Sequence, residues 1–285
     1  MGASLNPLRI AMLRWYDAID AGATFGTGGH PVSLCFDGQN IWAAEFTVGN
    51  VQKFRANDGA LVSTIFVGTQ PRGITFDGRH IWVTDFFNDR VVKLRARDGS
   101  NLGQFTTGDG PVMPVFDGRN IWVTNYNSST VTKLRPSDGA NLGTFPVGLN
   151  PQDAIFDGSS LWVVNTIGDT VSRIRVSDGA DLGAFAAGDG PTGIAFDGTN
   201  LWVANFPSGT VTKLRGSDGA ILATYPVGGE VFGVVFDGVS IWVTNKDSNQ
   251  VIHLRLADGA ILGTFTAGGQ PEGIAFDGSS IWVAN

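Results

Sequence analysis

The chain has 285 residues, of which 42% are hydrophobic and 11% aromatic, a composition that excludes an intrinsically disordered protein. Its formal net charge of −7 argues against nucleic acid as a partner, because polyanion binding relies on clustered Lys and Arg. No stretch approaches the roughly 20 consecutive apolar residues of a membrane-spanning helix, so no membrane association is expected.

A repeat of forty residues runs through the chain. Each copy contains the triplet Phe-Asp-Gly, and a Trp follows six residues after the Phe. The triplets begin at Phe36, Phe76, Phe116, Phe156, Phe196, Phe236 and Phe276. A fixed period of this length is typical of architectures in which each unit buries its apolar face against its neighbours. We therefore expect a single domain over residues 1–285.

One unit, starting at Pro151, shows the predicted elements in chain order. Extended runs are expected at residues 151–156, 161–165, 171–175 and 182–185, each bounded by turn residues such as Asp157-Gly158. The third run alternates apolar with polar residues, as a half-exposed strand does. Four antiparallel strands per forty residues are typical of one blade of a β-propeller.

The chain ends decide the predicted number of blades. Six units are complete, and residues 270–285 supply only two strands of another. Leu13-Arg14 and the segment 23–26 resemble Leu134-Arg135 and the segment 143–145, so N-terminal strands are predicted to complete the last blade. This predicts an all-β, seven-bladed β-propeller that leaves no sheet edge unpaired. The blades are expected at about 30–69, 70–109, 110–149, 150–189, 190–229, 230–269, and 270–285 plus 7–29.

The repeated motifs suggest relatives. Ile/Leu-Trp-Val-Thr/Ala-Asn, Val-x-Lys-Leu-Arg and Pro-x-Gly-Ile-Ala-Phe-Asp-Gly resemble the YVTN and NHL-type seven-bladed propellers over the whole chain. The resemblance implies a scaffold that binds proteins or nucleic acids or, in a few members, an enzyme such as the virginiamycin B lyase. That lyase uses clustered histidines and a carboxylate with magnesium. Here His30, His80 and His253 occupy three different blade positions, so the catalytic set is missing.

Two residue rows recur in every complete copy, which favours an architectural role. The Trp row is predicted to form core between blades. Each Arg of the second row precedes an Asp by three residues, which predicts a structural ion pair in each blade. The arginines of this row are Arg55, Arg95, Arg135, Arg175, Arg215 and Arg255.

The copies differ mainly in two sets of loops, which the blade topology places on one face. Diversified loops on a rigid scaffold are where binding usually resides. The candidate ligand-binding residues in or beside these loops are Phe46, Phe86, Phe87, Tyr126, Phe206, Arg72, Phe232 and His30. Neutral drift, or packing of the aromatic rings beneath the loops, explains the same pattern and stays open.

At one repeat position, two copies have an acidic residue in place of a neutral one. Strand two ends with Asn in five copies but with Glu45 and Asp85 in the first two. Together with Glu272, these carboxylates are the candidate ligands for a divalent cation, with His30 on the same side of the ring. The alternative is that they replace Asn as caps or pair with Arg72 and Arg90.

The sequence thus favours a non-catalytic binding or scaffold module, expected to be a monomer without a cofactor. A protein, peptide or glycan would bind on the variable face around the central channel. Two other interpretations stay open: a metal-assisted lyase or hydrolase at the channel mouth, and a recently amplified or engineered repeat propeller with no specific ligand. More than half of the residues are identical between some copies, which motivates the last of these.

Overall fold

The computed structural model describes residues 24–285, which form short antiparallel strands joined by tight turns. The first three blades are four-stranded sheets whose strands pair in sequence order. Blade one contains β1 (Pro31–Phe36), β2 (Asn40–Glu45), β3 (Asn50–Arg55) and β4 (Leu61–Phe66). Blade two contains β5 (Pro71–Phe76), β6 (His80–Asp85), β7 (Arg90–Arg95) and β8 (Asn101–Thr106), with a 3₁₀ turn at Phe86–Asn88. Blade three contains β9 (Pro111–Phe116), β10 (Ile121–Asn125), β11 (Thr130–Leu134) and β12 (Asn141–Pro146).

The next three blades repeat this order, and a two-stranded sheet follows them. Blade four contains β13 (Pro151–Phe156), β14 (Ser160–Asn165), β15 (Thr170–Arg175) and β16 (Asp181–Ala186). Blade five contains β17 (Pro191–Phe196), β18 (Asn200–Asn205), β19 (Thr210–Arg215) and β20 (Ile221–Pro226). Blade six contains β21 (Val231–Phe236), β22 (Ser240–Asn245), β23 (Gln250–Arg255) and β24 (Ile261–Thr266). The last sheet pairs β25 (Ile274–Phe276) with β26 (Ile281–Val283).

The prediction of seven blades is wrong: the described chain forms six four-stranded blades and the sheet β25–β26. Of the segment 7–29 predicted to complete the last blade, residues 7–23 lie outside the described residues, and residues 24–29 contain no strand. Phe25 does stack on Trp282, with ring centroids 5.6 Å apart, much as Phe105 contacts Trp82 at 5.7 Å. The side-chain contact of the repeat is therefore kept at this position, but residues 24–29 lack the extended, hydrogen-bonded backbone of the predicted strand.

The first strands of the blades surround a central channel. Each first strand contacts the first strand of the next blade, and β25 contacts both β21 and β1, so the two-stranded sheet lies between blades six and one. Among residues 24–285 there is no helix with the length and apolarity that a bilayer crossing requires.

The core lies between neighbouring blades, as the Trp row predicted. Trp42 and Val51 of blade one pack with Ile81 and Leu94 of blade two, and all four side chains are almost fully buried. The six tryptophans in complete blades expose no more than 2% of their surface. This prediction is confirmed, and the blades are joined by apolar burial rather than by shared strands.

Each Trp is also held by the Asp of its own Phe-Asp-Gly triplet. The indole Nε1 donates to the Asp Oδ2 at 2.7–2.8 Å in all seven copies. The other oxygen of Asp197 accepts the N–H groups of Thr199 and Asn200 at 2.8 and 2.6 Å, which closes the turn. The Asp therefore ties the hairpin turn to the core.

Strand three joins one blade to the next. Lys93 lies over the Trp82 ring at 5.3 Å, and its Nζ donates to the Pro136 carbonyl of blade three at 2.6 Å. Gly139 follows that segment with φ +72°, and a Cβ on it would lie 1.9 Å from the Phe105 ring of blade two. Glycine is needed there because the left-handed turn and the close approach both exclude a side chain.

The predicted Arg–Asp pairs are present in all six complete blades, at 2.7–3.2 Å. Their side chains are about half exposed, as in the pair of Arg215 (50%) with Asp218 (52%). Solvent-exposed pairs contribute little to stability because water screens them. This prediction is confirmed, and the pairs are structural.

These contacts predict that two substitutions in blade five lower the free energy of unfolding by different amounts. Replacing Asp197 by Ala leaves the buried Trp202 indole N–H without an acceptor, so we expect a loss of about 2 kcal/mol in unfolding free energy. The control Arg215→Ala breaks only a solvent-screened surface pair and should cost much less. Urea unfolding of both variants measures the difference, and equal losses would contradict the role assigned to Asp197.

Candidate functional site

Hydrogen bonds place the two sets of variable loops on one face. The N–H of the residue after strand two donates to a carbonyl in the loop that enters the same blade, as for Phe46 with His30 at 2.8 Å and Tyr126 with Gly110 at 2.8 Å. On the opposite face, the N–H of Ala56 donates to the Gln39 carbonyl at 3.1 Å and joins the two uniform turns. The predicted division into a variable and a uniform face is confirmed.

The central channel forms a cavity of about 870 Å³. Its wall is built from first strands, and its mouth opens among the variable loops. Seven of the predicted site residues line it: His30, Phe46, Arg72, Tyr126, Phe206, Phe232 and Glu272. Phe86 is half-buried beside them, whereas Phe87 is 62% exposed on the outside of its loop.

Arg72 lies in an aromatic clamp at the mouth. Its guanidinium carbon is 4.4 Å from the centre of the Phe86 ring and 5.1 Å from that of Phe46. The two rings come from loops of neighbouring blades and approach a planar cation, a favourable arrangement worth about 0.5–2 kcal/mol per ring. Phe46 and Phe86 are half-buried and hold the Arg72 guanidinium at the mouth.

A second cluster lies at blades five and six and the two-stranded sheet. The rings of Phe206 and Phe232 meet edge to face with centroids 6.2 Å apart. Lys246 lies over the Phe232 ring at 5.2 Å and forms an ion pair with Glu272. We call these residues, together with Phe46, Arg72, Phe86 and Tyr126, the mouth cluster.

Glu45 and Asp85 do not belong to this cluster. Both are fully buried at the end of strand two and are absent from the channel lining. Asn125 shows what the position does in other blades: its Oδ1 accepts the Gly108 N–H at 3.1 Å, and its amide donates to Thr130 and Thr132 at 3.0 and 2.9 Å. The position joins strand two to strand three and to the loop between blades.

The carboxylates of Asp85 and Glu45 have different hydrogen bonding at this position. Asp85 pairs with Arg90 at 2.8 Å and accepts from the Asn88 amide and the Thr69 N–H. Glu45 has no hydrogen-bonded partner for either oxygen, and burial raises its pKa to about 7. The Gly29 N–H and the Thr27 hydroxyl lie close enough to moderate this rise, but not in hydrogen-bonding geometry.

The candidate metal ligands are thus dispersed. Within the described chain, no three His, Cys, Asp or Glu side chains come together as a metal-binding group. Glu272 is engaged by Lys246, and His30 lies at the mouth. His80 contacts Asp77 at 3.1 Å on the uniform face, while His253 stacks on Trp242 at 4.0 Å, so the three histidines do not converge.

Asp153 is a channel residue that sequence reasoning missed. It lies in the channel wall on β13, and burial raises its pKa to about 7. Its Oδ2 accepts the Ile194 N–H of blade five at 3.1 Å. In blade two, Thr84 makes such a link by donating to the Val112 carbonyl, but blade four has Val164 at that position. One feature of the sequence could have drawn attention to Asp153: four of the seven copies have Gly at this repeat position.

Comparison with known proteins supports the fold. No protein-family model matches the chain, and no curated protein matches it. Among solved structures it is similar to hydrazine synthase of Kuenenia stuttgartiensis, with a TM-score of 0.82 and 15% identity over 93% of this chain and 96% of that one. It is also similar to a streptogramin B lyase, with a TM-score of 0.76 and 19% identity over 90% of each chain. At these identities the likeness shows a shared β-propeller fold and nothing about activity.

Proposed function

We propose that this protein is a binding module that receives a peptide segment at the mouth of its central channel. The observation that supports this most is the position of the cavity. It opens among the loops in which the blades differ, and the mouth cluster combines aromatic rings with two cations and one carboxylate. Concave sites of about 300–1,000 Å³ with a few convergent polar groups are typical of ligand pockets, and this cavity lies in that range.

A second candidate is acid–base catalysis in the channel. Asp153 favours it, because a channel carboxyl with a pKa of about 7 is matched to proton transfer near neutral pH. One structural neighbour is a lyase, although that likeness concerns the fold. A catalytic interpretation based on Glu45 and Asp85 has no such support, because both lie outside the channel wall.

Selection from a random peptide-display library tests the binding function, with a glycan array as the parallel screen. The test variant combines Phe46→Ala, Phe206→Ala and Phe232→Ala, which removes three rings of the mouth cluster. The matched control is Val239→Ser, an exposed apolar residue in a turn of the uniform face. We expect selected peptides to bind the test variant at least tenfold more weakly and the control unchanged, since aromatic anchors dominate interface energies.

Other outcomes separate the alternatives. Peptides that bind the test variant as well as the parent chain would contradict a site at the mouth. Glycan binding that depends on the three rings would keep the site and change the partner. If neither screen yields a ligand, the interpretation as a repeat propeller without a specific ligand is favoured.

A further inference from the structure

Arg72 is unlike the other channel residues at its position in the repeat. The equivalent residues are Val32, Val112, Gln152, Thr192, Phe232 and Glu272, so Arg72 is the one cation in this row. It projects from β5 into the channel mouth, with Phe46 and Phe86 against its guanidinium. Rings on a guanidinium shield its faces and leave its edge, where the N–H donors point, for a ligand.

Arg72 also lacks the ionic partner that a partly buried arginine usually has. The six arginines at the end of strand three pair with Asp, and Arg90 pairs with Asp85. In the described chain Arg72 forms no ion pair, and its Nε is buried without a hydrogen-bond acceptor. Burial lowers its pKa, an effect that the nearby Glu272 and Tyr126 offset only in part. A permanent charge in this setting is costly unless something else neutralises it.

The charges at the mouth indicate which chemical group of a ligand would neutralise Arg72. Lys246 and Arg72 supply two positive charges, and Glu272, already bound to Lys246, supplies one negative charge. The mouth cluster therefore has one uncompensated positive charge, which suits a monoanion better than a dianion. A carboxylate matches the fork of a guanidinium edge in both charge and shape.

We propose that the mouth cluster recognises a carboxylate attached to an aromatic or apolar body, with the carboxylate bound to the edge of Arg72. This inference rests on the proposed binding function and specifies its ligand. The body of the ligand lies against Tyr126, Phe206 and Phe232, which line the cavity around the mouth. A peptide C-terminus and a small carboxylic acid share this chemistry, and the experiment distinguishes them.

Calorimetric titration with matched ligands tests the proposal. The probes are N-acetylphenylalanine, its carboxamide, phenyl phosphate, and a tetrapeptide ending in phenylalanine with a free or an amidated C-terminus. We expect each acid to bind at least tenfold more tightly than its amide, and phenyl phosphate to bind more weakly than N-acetylphenylalanine. A tetrapeptide that binds more tightly than N-acetylphenylalanine would identify a peptide C-terminus, and equal affinities would identify a small acid.

Two variants assign the effect to Arg72. Arg72→Gln should remove the preference for acid over amide, whereas Arg119→Gln, an exposed arginine in a turn of the uniform face, should retain it. Arg72→Met keeps the length of the side chain without its charge and should lose the acid preference in the same way. Melting temperatures close to that of the parent chain would show that both Arg72 variants fold, so their loss of acid preference reports on recognition.

Three results would overturn the inference. Equal binding of acid and amide would show that the mouth binds a ligand without reading a carboxylate, and the binding function would stand. A preference for acid that survives Arg72→Gln would place the carboxylate elsewhere. Dissociation constants above about 10 mM for every probe would contradict the carboxylate assignment and leave the peptide-display result to decide the binding function.

Discussion

Removing residues 270–285 is expected to lower the free energy of unfolding by about 5 kcal/mol. These residues form the sheet β25–β26, which contacts β21 on one side and β1 on the other. Pro271, Ala275 and Ala284 are buried there, and Trp282 stacks on Phe25. Ile274, Ile281, Trp282 and Val283 are half-buried in the same sheet, and partial burial of four such side chains, each worth up to about 1.5–3 kcal/mol when fully buried, reaches this magnitude.

Urea unfolding followed by tryptophan fluorescence measures this loss. The control removes only Asn285, an exposed residue whose side chain accepts the Gly268 N–H at 3.1 Å. One such bond contributes about 1 kcal/mol, so the control isolates the contribution of the sheet itself. If the longer truncation unfolds at the same urea concentration as the full chain, β25–β26 does not join blade six to blade one.

Glu45→Gln and Asp85→Asn are expected to have opposite effects on stability at pH 8. Glu45 is buried without a partner, and its pKa rises from 4.5 to about 7, which corresponds to a penalty of up to about 3 kcal/mol once the carboxyl ionises. Gln has nearly the same shape without the charge, so Glu45→Gln should stabilise by about 2–3 kcal/mol. Asp85→Asn deprives Arg90 of its carboxylate and should destabilise by about 2 kcal/mol.

The effect of Glu45→Gln should depend on pH. Because the folded-state pKa of Glu45 lies above the unfolded value, protonation favours the folded state fully below about pH 4.5. That contribution declines as the pH rises through about 7, so the parent chain loses stability relative to the variant across this range. Unfolding free energies at pH 4 and pH 8 measure it, with a difference near zero at pH 4. A stabilising Asp85→Asn, or a pH-independent Glu45→Gln, would contradict this account.

The accuracy of the sequence-based predictions depended on whether a feature recurs. Trp202, Asp197 and the pair of Arg215 with Asp218 recur at fixed spacing and have the structural roles that repetition indicates. Asp157-Gly158 correctly marked a hairpin turn. Residues that break the repeat were recognised as unusual, but their environments were not predictable. Glu45 and Asp85 looked equivalent, yet Asp85 is bonded to Arg90, the residue opposite it on strand three, whereas the residue opposite Glu45 is Asn50 and Glu45 is left unpaired.

For the candidate site, the sequence likewise indicated positions but not environments. The sequence indicated the variable face and the residues Arg72, Phe206 and Phe232 that line the channel mouth. It did not indicate that Arg72 is clamped between rings without an ionic partner, since residues of separate blades create that environment. It also missed Asp153, whose carboxylate accepts the Ile194 N–H of the next blade, a contact that only the folded chain reveals.

The forty-residue period by itself determined the strands, the hairpin turns, the core tryptophans and the propeller fold, because these depend on short-range spacing that is copied in every unit. Only the tertiary structure decided the number of complete blades, since strand pairing at the ends of the chain requires extended backbone and not only matching side chains. It also decided which charges are paired. Pairing depends on the distance between charged side chains, and many of these side chains come from different blades or loops. The spacing of residues along the sequence does not predict such distances.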